Sequence, residues 1–356
     1  MNQRDNSYQA GRRQARKLDL EQGRVEMSHG AGGRAMADLI DLLFREAFDN
    51  PLLNQANDQA CFEVAAGRMV MTTDSFVISP LFFPGGNIGS LAVHGTVNDL
   101  AMGGAEPLYL TVGFILEEGL PLAELAEIVQ AMAAAAREAG IKIVTGDTKV
   151  VERGKGDGVF INTAGVGRVL PGVEVSGDLA RPGHKVLVSG SVGDHGVAIM
   201  SLRRGLEFAT ALESDSASLN GLVSDMVHAA KGGLRVLRDP TRGGLAATLN
   251  EIADQSAVGV RLDEAALPVK TEVPGACELL GLDPQNVANE GKQIAIVEED
   301  SAETVLTAMR AHPLGTEAAM VGEIVEDPLQ LVRMITHIGG ERVVDWLHGE
   351  QLPRIC

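Results

Sequence analysis

Four aspartates stand in short polar segments rich in glycine and threonine, and these residue types suit metal-dependent chemistry. They are Asp74 in TTDS, Asp99 in VNDLAMGG, Asp147 in TGDTK and Asp239 in RDPTRGG. A single aspartate of this kind is more often a turn former or a helix cap than a ligand. Four in similar contexts favour a shared site, in which carboxylates hold Mg²⁺ and glycine amides approach a polyphosphate.

A fifth polar segment, SHGAGGR at residues 28 to 34, adds glycines without a known phosphate-binding spacing. It matches neither GxxxxGK[ST] nor GxGxxG, and the rest of the sequence has no such match, so a P-loop or a Rossmann site is not indicated. Two interpretations stay open: a flexible entry to the first helix, or a segment whose glycine amides approach a phosphate.

The last residue, Cys356, is the third candidate for chemistry. The cysteines at positions 61, 277 and 356 form no CxxC pair, so neither a disulfide framework nor a structural zinc site is indicated. A terminal cysteine can be without a role. It can also be a thiol on a tether, since ten extended residues reach roughly 30 Å. Such a nucleophile suits the transport of an electrophilic one-carbon group.

Composition narrows the class of protein. The chain has 356 residues, 45% of them hydrophobic, and a formal net charge of -18. This length favours two domains with a sizeable core. The acidity argues against nucleic-acid binding, because a phosphate backbone requires a cationic surface. No apolar run reaches the roughly 18 residues of a membrane helix, and the polar start is not a secretory signal. We therefore expect a cytoplasmic protein that binds neither nucleic acid nor membrane.

Helix-like and strand-like segments alternate along the chain, which indicates a mixed α/β fold. Helices are expected at 34–49, 87–102, 121–139, 196–205, 219–231, 243–255, 271–281 and 301–311, and strands at 69–78, 109–119 and in two runs within 141–170. Further strands are expected at Val186–Ser189 and in GVRL, KQIAIVEE and AAMVGEIVE. The expected organisation is a flexible basic extension (1–24), two domains (25–178 and 179–345) and an exposed, mobile tail (346–356).

Taken together, the motifs resemble the HypE family of hydrogenase maturation factors, within the superfamily of aminoimidazole ribonucleotide synthetase and selenophosphate synthetase. The resemblance runs from about residue 25 to the C-terminus, and its most specific part is the terminal PRIC. The other motifs that show the resemblance are SHGAGG, TTDSFVISPLFFPGGNIG, NDLAMGG, FILEEGLP, TGDTKVV, INTAGVG, VSGSVGDHG, RDPTRGG, ALPV, CELLGLDP, ANEGK and HPLG. The first 24 residues lie outside it.

The resemblance implies a two-domain PurM-like fold. In that fold the strands of the N-terminal domain join those of a second copy in a dimer barrel, the C-terminal domain is α/β, and the C-terminal tail is flexible. It also implies ATP and Mg²⁺ as cofactors. The partners would be the carbamoyltransferase HypF, the HypC–HypD iron scaffold complex and a second copy of the chain.

The implied reaction is an ATP-dependent dehydration on the C-terminal cysteine of the chain itself. Cys356 would receive a carbamoyl group, and the resulting S-carboxamide would become a thiocyanate that supplies cyanide ligands to the iron of nickel-iron hydrogenase. Lys149 and Glu290 would orient and deprotonate the carboxamide. The four aspartates would handle Mg²⁺ and phosphates. Further nucleotide-binding residues would be His29, Gly30, Gly32, Gly33, Asn98 and Thr148.

Two alternatives stay open at the level of the sequence. One is another ATP-dependent synthetase of the same superfamily that acts on a small molecule, such as selenophosphate synthetase. That enzyme has its reactive residue near the N-terminus, where this chain has no cysteine before Cys61. The other is a non-catalytic thiol carrier, which would not need the four aspartates.

Overall fold

A computed structural model describes residues 18–31, 33–55, 59–63, 66–205, 212–346 and 354–356 of the chain. The expected extension at 1–24 and the expected tail at 346–356 therefore lie largely outside the described residues. Strands in the described part are β1 Met69–Phe76, β2 Phe82–Phe83, β3 Gly86–Asn87, β4 Ala105–Glu117, β5 Lys142–Val151, β6 Val159–Val169, β7 Lys185–Val188, β8 Leu234–Arg238, β9 Gly259–Asp263, β10 Ile294–Val297, β11 Ala319–Val325, β12 Val332–Ile335 and β13 Glu341–Val343.

The helices follow the expected positions closely. They are α1 Arg34–Leu39, α2 Arg45–Ala47, α3 Ile88–Met102, α4 Leu122–Glu138, α5 Asp194–Arg204, α6 Asn220–Ala230, α7 Gly244–Ser256, α8 Glu272–Leu280 and α9 Glu299–Ala311. A π-helical segment, Ile40–Phe44, joins α1 to α2, so the helix expected at 34–49 is one continuous but irregular helix. Short 3₁₀ turns lie at Met27–Gly30, Leu53–Gln55, Glu264–Ala266, Pro284–Asn286 and Pro313–Gly315.

The first sheet has the strand order β1-β6-β4-β5, and among the described residues its helices pack on one face. Strand β4 pairs antiparallel with β6 and parallel with β5. Helix α3 packs on β1 and β6, and α4 packs on α3. The Asn87 side chain caps α3 by accepting from the Gly89 N–H at 2.8 Å. Every second side chain of β1 points to the other face of the sheet and is exposed, and Met71 is 76% exposed.

The second sheet has the order β13-β12-β9-β11-β7-β10-β8 and is covered on both faces. Alternate residues of β10 show this, because Ile294 and Ile296 pack in the core beneath α7, whereas Ala295 and Val297 pack in the core with α6 and α9. Burial on both faces explains why β10 is apolar throughout. The expected boundary between residues 178 and 179 lies between the two sheets, and the boundary itself stays a prediction.

Five strands were not expected from the sequence. Two of them, β2 and β3, have only two residues each, and the other three, β8, β12 and β13, carry charged residues among their apolar ones. The exposure expected for the C-terminus also differs from the structure at the very end of the chain. Ile355 is 3% exposed and packs in the core of the first half of the molecule. The last three residues are therefore docked and not free in solvent.

Candidate active site

A polar cleft of about 1170 Å³ lies between the two sheets, and it contains two of the four expected aspartates. Its walls come from β1, from the C-terminal end of α3, and from β8 with the turn that follows it. Asp99 projects from α3 into this cleft, and Asp239 follows β8 directly. The lining includes Thr72, Met102, Gly103, Ser176, Leu237, Arg238, Thr241, Arg242, Thr248 and Glu251.

Asp74 belongs to the same electrostatic group, because its charge acts on both of these aspartates. Burial raises the pKa of Asp74, and burial is also the first cause of the raised pKa of Asp99, whose carboxylate accepts from the Thr72 hydroxyl at 2.8 Å. Burial, with the charge of Asp99, raises the pKa of Asp239 to about 7. Like charges held together in this way favour the uptake of protons or of a cation.

Glu290 lies in the loop before β10 and completes what we call the acidic cleft: Asp74, Asp99, Asp239 and Glu290. Its side chain is 3% exposed, and its Oε1 atom has no hydrogen-bond partner in the described part of the chain. Burial raises its pKa well above the ordinary value, and the charges of Asp239 and Asp215 add to this. A buried carboxyl group with an unsatisfied oxygen is a functional-site candidate, because such a group is costly to keep without a role.

Asn98 has a different position from the one expected of a nucleotide ligand. It is 1% exposed, and its amide nitrogen donates to the backbone oxygens of Ala217 at 3.0 Å and Glu290 at 3.1 Å. Its amide oxygen accepts from the Leu219 N–H at 2.8 Å. Both amide hydrogens are therefore used within the protein. Asn98 holds the Glu290 loop against α3. The nucleotide contact expected of Asn98 stays a prediction.

The C-terminal Cys356 is docked beside the acidic cleft of its own chain. The Val77 N–H donates to the Cys356 backbone oxygen at 3.1 Å, which fixes the residue next to the end of β1. Burial raises the pKa of the Cys356 thiol to about 12, and the charges of Glu290 and Asp74 contribute. The docked thiol is therefore protonated near neutral pH, and it lies within the electrostatic reach of the buried carboxyl group of Glu290.

The other expected site residues lie at the opposite edge of the first sheet. We call His29, Gly30, Asp147, Thr148 and Lys149 the edge cluster. A Cβ atom on Gly30 would lie 2.6 Å from the Val150 backbone nitrogen, so the glycine segment packs closely on β5. His29 is buried, and its Nδ1 accepts from the Glu26 N–H at 2.9 Å.

Asp147 and Lys149 neutralise each other within the edge cluster. The Lys149 Nζ atom lies 2.7 Å and 2.6 Å from the two carboxylate oxygens of Asp147, and this hydrogen bond is the main cause of the lowered pKa of Asp147. The two side chains are 61% and 63% exposed. Asp147 and the buried Thr148 also line a mostly apolar pocket of about 490 Å³ beneath the first helix. Gly32 lies outside the described residues, and Gly33 precedes α1 in an open position.

The two groups do not meet within one chain. Strands β6 and β4 lie between β1, which carries Asp74, and β5, which carries Asp147. At about 4.8 Å between strands, the two aspartates are roughly 14 Å apart. Across the described residues, no group of three or more His, Cys, Asp or Glu side chains is arranged to hold a metal ion. The shared metal site of four aspartates stays a prediction, and a single chain does not assemble it.

Sequence reasoning missed the cations of the acidic cleft. Arg238 and Arg242 flank Asp239 in RDPTRGG, and the charges of both act on Asp99. The motif itself carried this signal, because arginines beside an aspartate at a glycine-rich turn suit a phosphate as well as a carboxylate. Asp215 was also missed. Its side chain is 2% exposed, and it accepts from the Glu290 N–H at 2.9 Å.

Comparison with known proteins first defines the class. Residues 56–169 match the family model described as AIR synthase related protein, N-terminal domain, and residues 181–334 match its C-terminal domain. The chain thus has the two-domain PurM-like architecture, with one domain in each half. Within the described residues, no helix is long and apolar enough to cross a membrane.

Two relatives then define the particular family. Carbamoyl dehydratase HypE of Rhizobium leguminosarum bv. viciae is 63% identical over 341 residues, which cover 96% of this chain and 97% of the relative. Carbamoyl dehydratase HypE of Escherichia coli (strain K12) is 50% identical over 337 residues, which cover 93% of this chain and 99% of the relative. The chain therefore belongs to the HypE family of carbamoyl dehydratases.

Solved structures agree with this assignment. A crystal structure of the hydrogenase maturation protein HypE in complex with ATP is similar at a TM-score of 0.89 and 52% identity, over 93% of this chain and 99% of that chain. A crystal structure of a HypE–HypF complex is similar at a TM-score of 0.77 and 49% identity, over 87% of this chain and 99% of that chain. The fold expected from the sequence is confirmed by these similarities.

Proposed function

We propose that this chain is an ATP-dependent dehydratase that acts on a carboxamide carried by its own Cys356. The product would be a thiocyanate, which supplies the cyanide ligands of iron during nickel-iron hydrogenase maturation. One observation carries the proposal: the C-terminal residue is docked in its own chain, with its thiol within electrostatic reach of Glu290, a buried carboxyl group whose Oε1 has no partner among the described residues. The family membership and the ATP complex of the similar HypE structure support the same reaction.

The chemistry requires a leaving group and a base. A carboxamide oxygen leaves poorly, and transfer of the terminal phosphoryl group of ATP onto it would let it depart as phosphate. The nitrogen must lose both of its protons as the carbon–nitrogen triple bond forms. Glu290 is suited to accept one proton, because its raised pKa brings a carboxylate nearer to the basicity that this transfer needs. Its burial also keeps water away from the reacting carbon.

Mg²⁺ fits the donors of the acidic cleft. Carboxylate oxygens are the ligands that this hard cation prefers, and it usually keeps several waters and phosphate oxygens in its coordination shell. Burial is the first cause of the raised pKa values of Asp74, Asp99 and Asp239, and mutual repulsion adds to those of Asp99 and Asp239, so a bound cation would favour their charged forms. We propose that these three residues hold Mg²⁺, in part through its waters. Bound Mg²⁺ would neutralise the phosphates of ATP, assisted by Arg238 and Arg242.

The edge cluster would serve the acidic cleft of a second copy in a homodimer. The uncovered face of the first sheet supports this proposal, because Met71 and Ile115 are 76% and 45% exposed there. Joining two such faces would bury both residues and bring the edge cluster of one copy towards the acidic cleft of the other. Asp147 and Lys149 of the second copy would then contact the phosphates and the carboxamide. The glycine segment with His29 would close over the nucleotide.

Partner proteins would be needed to attach the carbamoyl group to Cys356 and to accept the cyano group from it. All of these steps would take place in the cytoplasm. The similar HypE–HypF complex supports HypF as the carbamoyl donor. The HypC–HypD complex would receive the cyano group. All three cysteines are free thiols. This suits the reducing cytoplasm.

Mass spectrometry tests the proposal directly. The full chain is incubated with HypF, carbamoyl phosphate and ATP, and we expect a carbamoyl adduct on Cys356. Addition of Mg-ATP to the isolated adduct should then remove one water from it. A chain that carries the adduct but never loses water would be only a thiol carrier. If a Cys356→Ser variant still coupled ATP turnover to release of a small-molecule product, the chain would be a synthetase instead.

A further inference from the structure

The last three residues lie antiparallel alongside residues 77 to 79, which follow the end of β1. The Val77 N–H donates to the Cys356 oxygen at 3.1 Å, and the Ser79 N–H donates to the Arg354 oxygen at 3.4 Å. In return, the Arg354 side chain donates through Nε to the Val77 oxygen at 2.8 Å. The main-chain contacts come from the first half of the molecule. They do not involve the side chain of Cys356, so they are indifferent to the group that its sulfur carries.

Helix α5, from the second half of the molecule, holds the other side of the same three residues. The His195 Nε2 atom lies 2.8 Å from the Ile355 backbone oxygen. At the C-terminal end of α5, the Arg203 guanidinium group donates to the backbone oxygens of Arg354 and Ser79. Arg203 thus contacts both the C-terminal residues and the segment after β1 on which they lie. The end of the chain is clamped between the two halves.

The hydrogen bonds around His195 fix which ring nitrogen carries its proton. A carbonyl oxygen can only accept, so the Nε2 atom must be the donor to Ile355. Burial lowers the pKa of His195, which is fully buried, so the ring is neutral and its Nδ1 accepts from the Ser214 hydroxyl at 2.7 Å. The Ser214 hydroxyl in turn accepts from the Ser216 N–H at 3.1 Å. The ring also packs edge-to-face on Phe83, with centroids 5.7 Å apart. His195 is therefore a donor of fixed direction.

We propose that His195 and Arg203 are positioning residues that hold the backbone of the C-terminal tripeptide, and thereby place the Cys356 side chain at Glu290. A substrate on the end of its own chain has to leave the cleft for loading and return for dehydration. The two donors bind carbonyl groups that stay the same in the thiol, the carboxamide and the thiocyanate. The same clamp therefore serves every state of the sulfur, while Ile355 anchors the tripeptide in the core.

The first test measures how often Cys356 leaves the cleft, and it does not depend on the reaction. The full chain is treated with iodoacetamide, and alkylation of each cysteine is followed by peptide mass spectrometry. We expect Arg203→Met and His195→Ala to raise the rate at Cys356 about tenfold, because each removes a hydrogen-bond donor to the docked backbone. The buried Cys277 reports whether each variant is folded. His195→Gln, which retains a side-chain N–H, should restore a rate near that of the unaltered chain.

Arg204 provides the matched control. It is the neighbouring arginine of α5 and is exposed. Arg204→Met should leave the alkylation rate of Cys356 unchanged. The proposal is overturned if Arg203→Met and His195→Ala, with Cys277 still protected, alkylate Cys356 at the rate of the unaltered chain. It is equally overturned if Arg204→Met has the same effect as Arg203→Met.

The second test rests on the proposed function and separates the two claims. Carbamoylation of Cys356 by HypF requires the released state, so it should be unchanged or faster in Arg203→Met. Dehydration of the isolated adduct requires the docked state and should be about tenfold slower. Equal slowing of both steps would contradict a positioning role. If the unaltered chain showed no ATP-dependent loss of water, the proposed function would fail, whereas the alkylation result would still decide the clamp.

Discussion

The acidic cleft and the edge cluster each contain at least one of the four aspartates found in glycine- and threonine-rich segments, yet the electrostatic environments of these aspartates are opposite. In the acidic cleft, burial and mutual repulsion raise the pKa values of the carboxyl groups, and that of Asp239 reaches about 7. In the edge cluster, Asp147 has a lowered pKa because Lys149 neutralises it in solvent. In the acidic cleft the ionised carboxyl groups are therefore destabilised, whereas in the edge cluster the ionised form of Asp147 is stabilised. A group of destabilised, buried carboxylates is where a bound cation and a reacting group are expected.

The largest expected effect concerns the base of the acidic cleft. Glu290→Gln retains the size of the side chain and removes its basicity, so dehydration of the carbamoylated chain should slow by about 10²- to 10⁴-fold. Carbamoylation of Cys356 should be unaffected. The measurement is the loss of one water from the isolated adduct, followed by mass spectrometry. Glu278→Gln, at an exposed position of α8, is the control. Loss of both steps in Glu290→Gln would assign Glu290 a structural role instead.

The second prediction tests whether the two regions cooperate across a dimer. Asp99→Asn disables the acidic cleft and Asp147→Asn disables the edge cluster, so each variant alone should be inactive in dehydration. If a working site combines the acidic cleft of one copy with the edge cluster of the other, mixed dimers regain one intact site. Co-expression of the two variants in equal amounts should then restore about a quarter of the sites.

The readout of this mixing experiment is the dehydration rate of the doubly tagged dimers, purified through one tag on each variant. The Asp99→Asn homodimer, prepared in the same way with two tags, is the control. Inactive mixed dimers would mean that both regions act within one chain. That result would overturn the arrangement proposed for the edge cluster.

The sequence predicted most helices because their signals are local. It singled out the residues of the acidic cleft by type, without showing which of them lie together. Periodic apolar residues with a glycine stop predicted α4, and the burial of β10 on both faces left a continuous apolar run. The strands β8, β12 and β13 were missed, since the side chains of a short strand at or near a sheet edge carry charges that hide the period of two.

The docked C-terminus and the role of Asn98 could not be predicted, for a different reason. Both depend on contacts between residues more than a hundred positions apart, such as Asn98 with the backbone of Glu290. The tail sequence has no periodicity. Ile355 is buried by residues of the first half of the molecule, which lie far from it in the sequence. Likewise, four aspartates in similar motifs gave no information on how many chains are needed to bring them together. The residue types indicated which kind of chemistry the chain could perform, but they did not indicate which residues come together or how many chains contribute them.

The third prediction concerns the close packing of the edge cluster. A methyl group at position 30 would clash with the Val150 backbone, so Gly30→Ala should displace the glycine segment from β5. We expect the KM for ATP to rise roughly tenfold, because the segment can no longer close on the nucleotide. Gly275→Ala, in α8, is the matched control, since no atom lies within 4 Å of the added methyl group there. Equal KM values for the two variants would remove the glycine segment from the nucleotide site.

The smallest effect concerns the cost of the buried charge. The pKa of Asp239 is raised to about 7 from an ordinary value of 3.8, so between these values the folded chain holds a proton that the unfolded chain releases. The free energy of unfolding therefore falls as the pH rises from about 4 to about 7, and above pH 7 the ionised group is buried at full cost. Asp239→Asn removes this cost. In the absence of Mg-ATP its melting temperature should exceed that of the unaltered chain at pH 8 by about 2 to 5 °C.

The difference between the two proteins should shrink as the pH falls and vanish near pH 3, where Asp239 is uncharged in the folded state and largely protonated in the unfolded one. Calorimetry across this pH range provides the measurement, and Asp225→Asn, at an exposed position of α6, controls for a general change of charge. The opposite expectation holds for Asp147→Asn. Its pKa is lowered in an exposed ion pair, so its loss should change the stability by less than about 1 kcal/mol at any pH. A stabilisation by Asp239→Asn that did not depend on pH would show that burial of charge is not what separates the acidic cleft from the edge cluster.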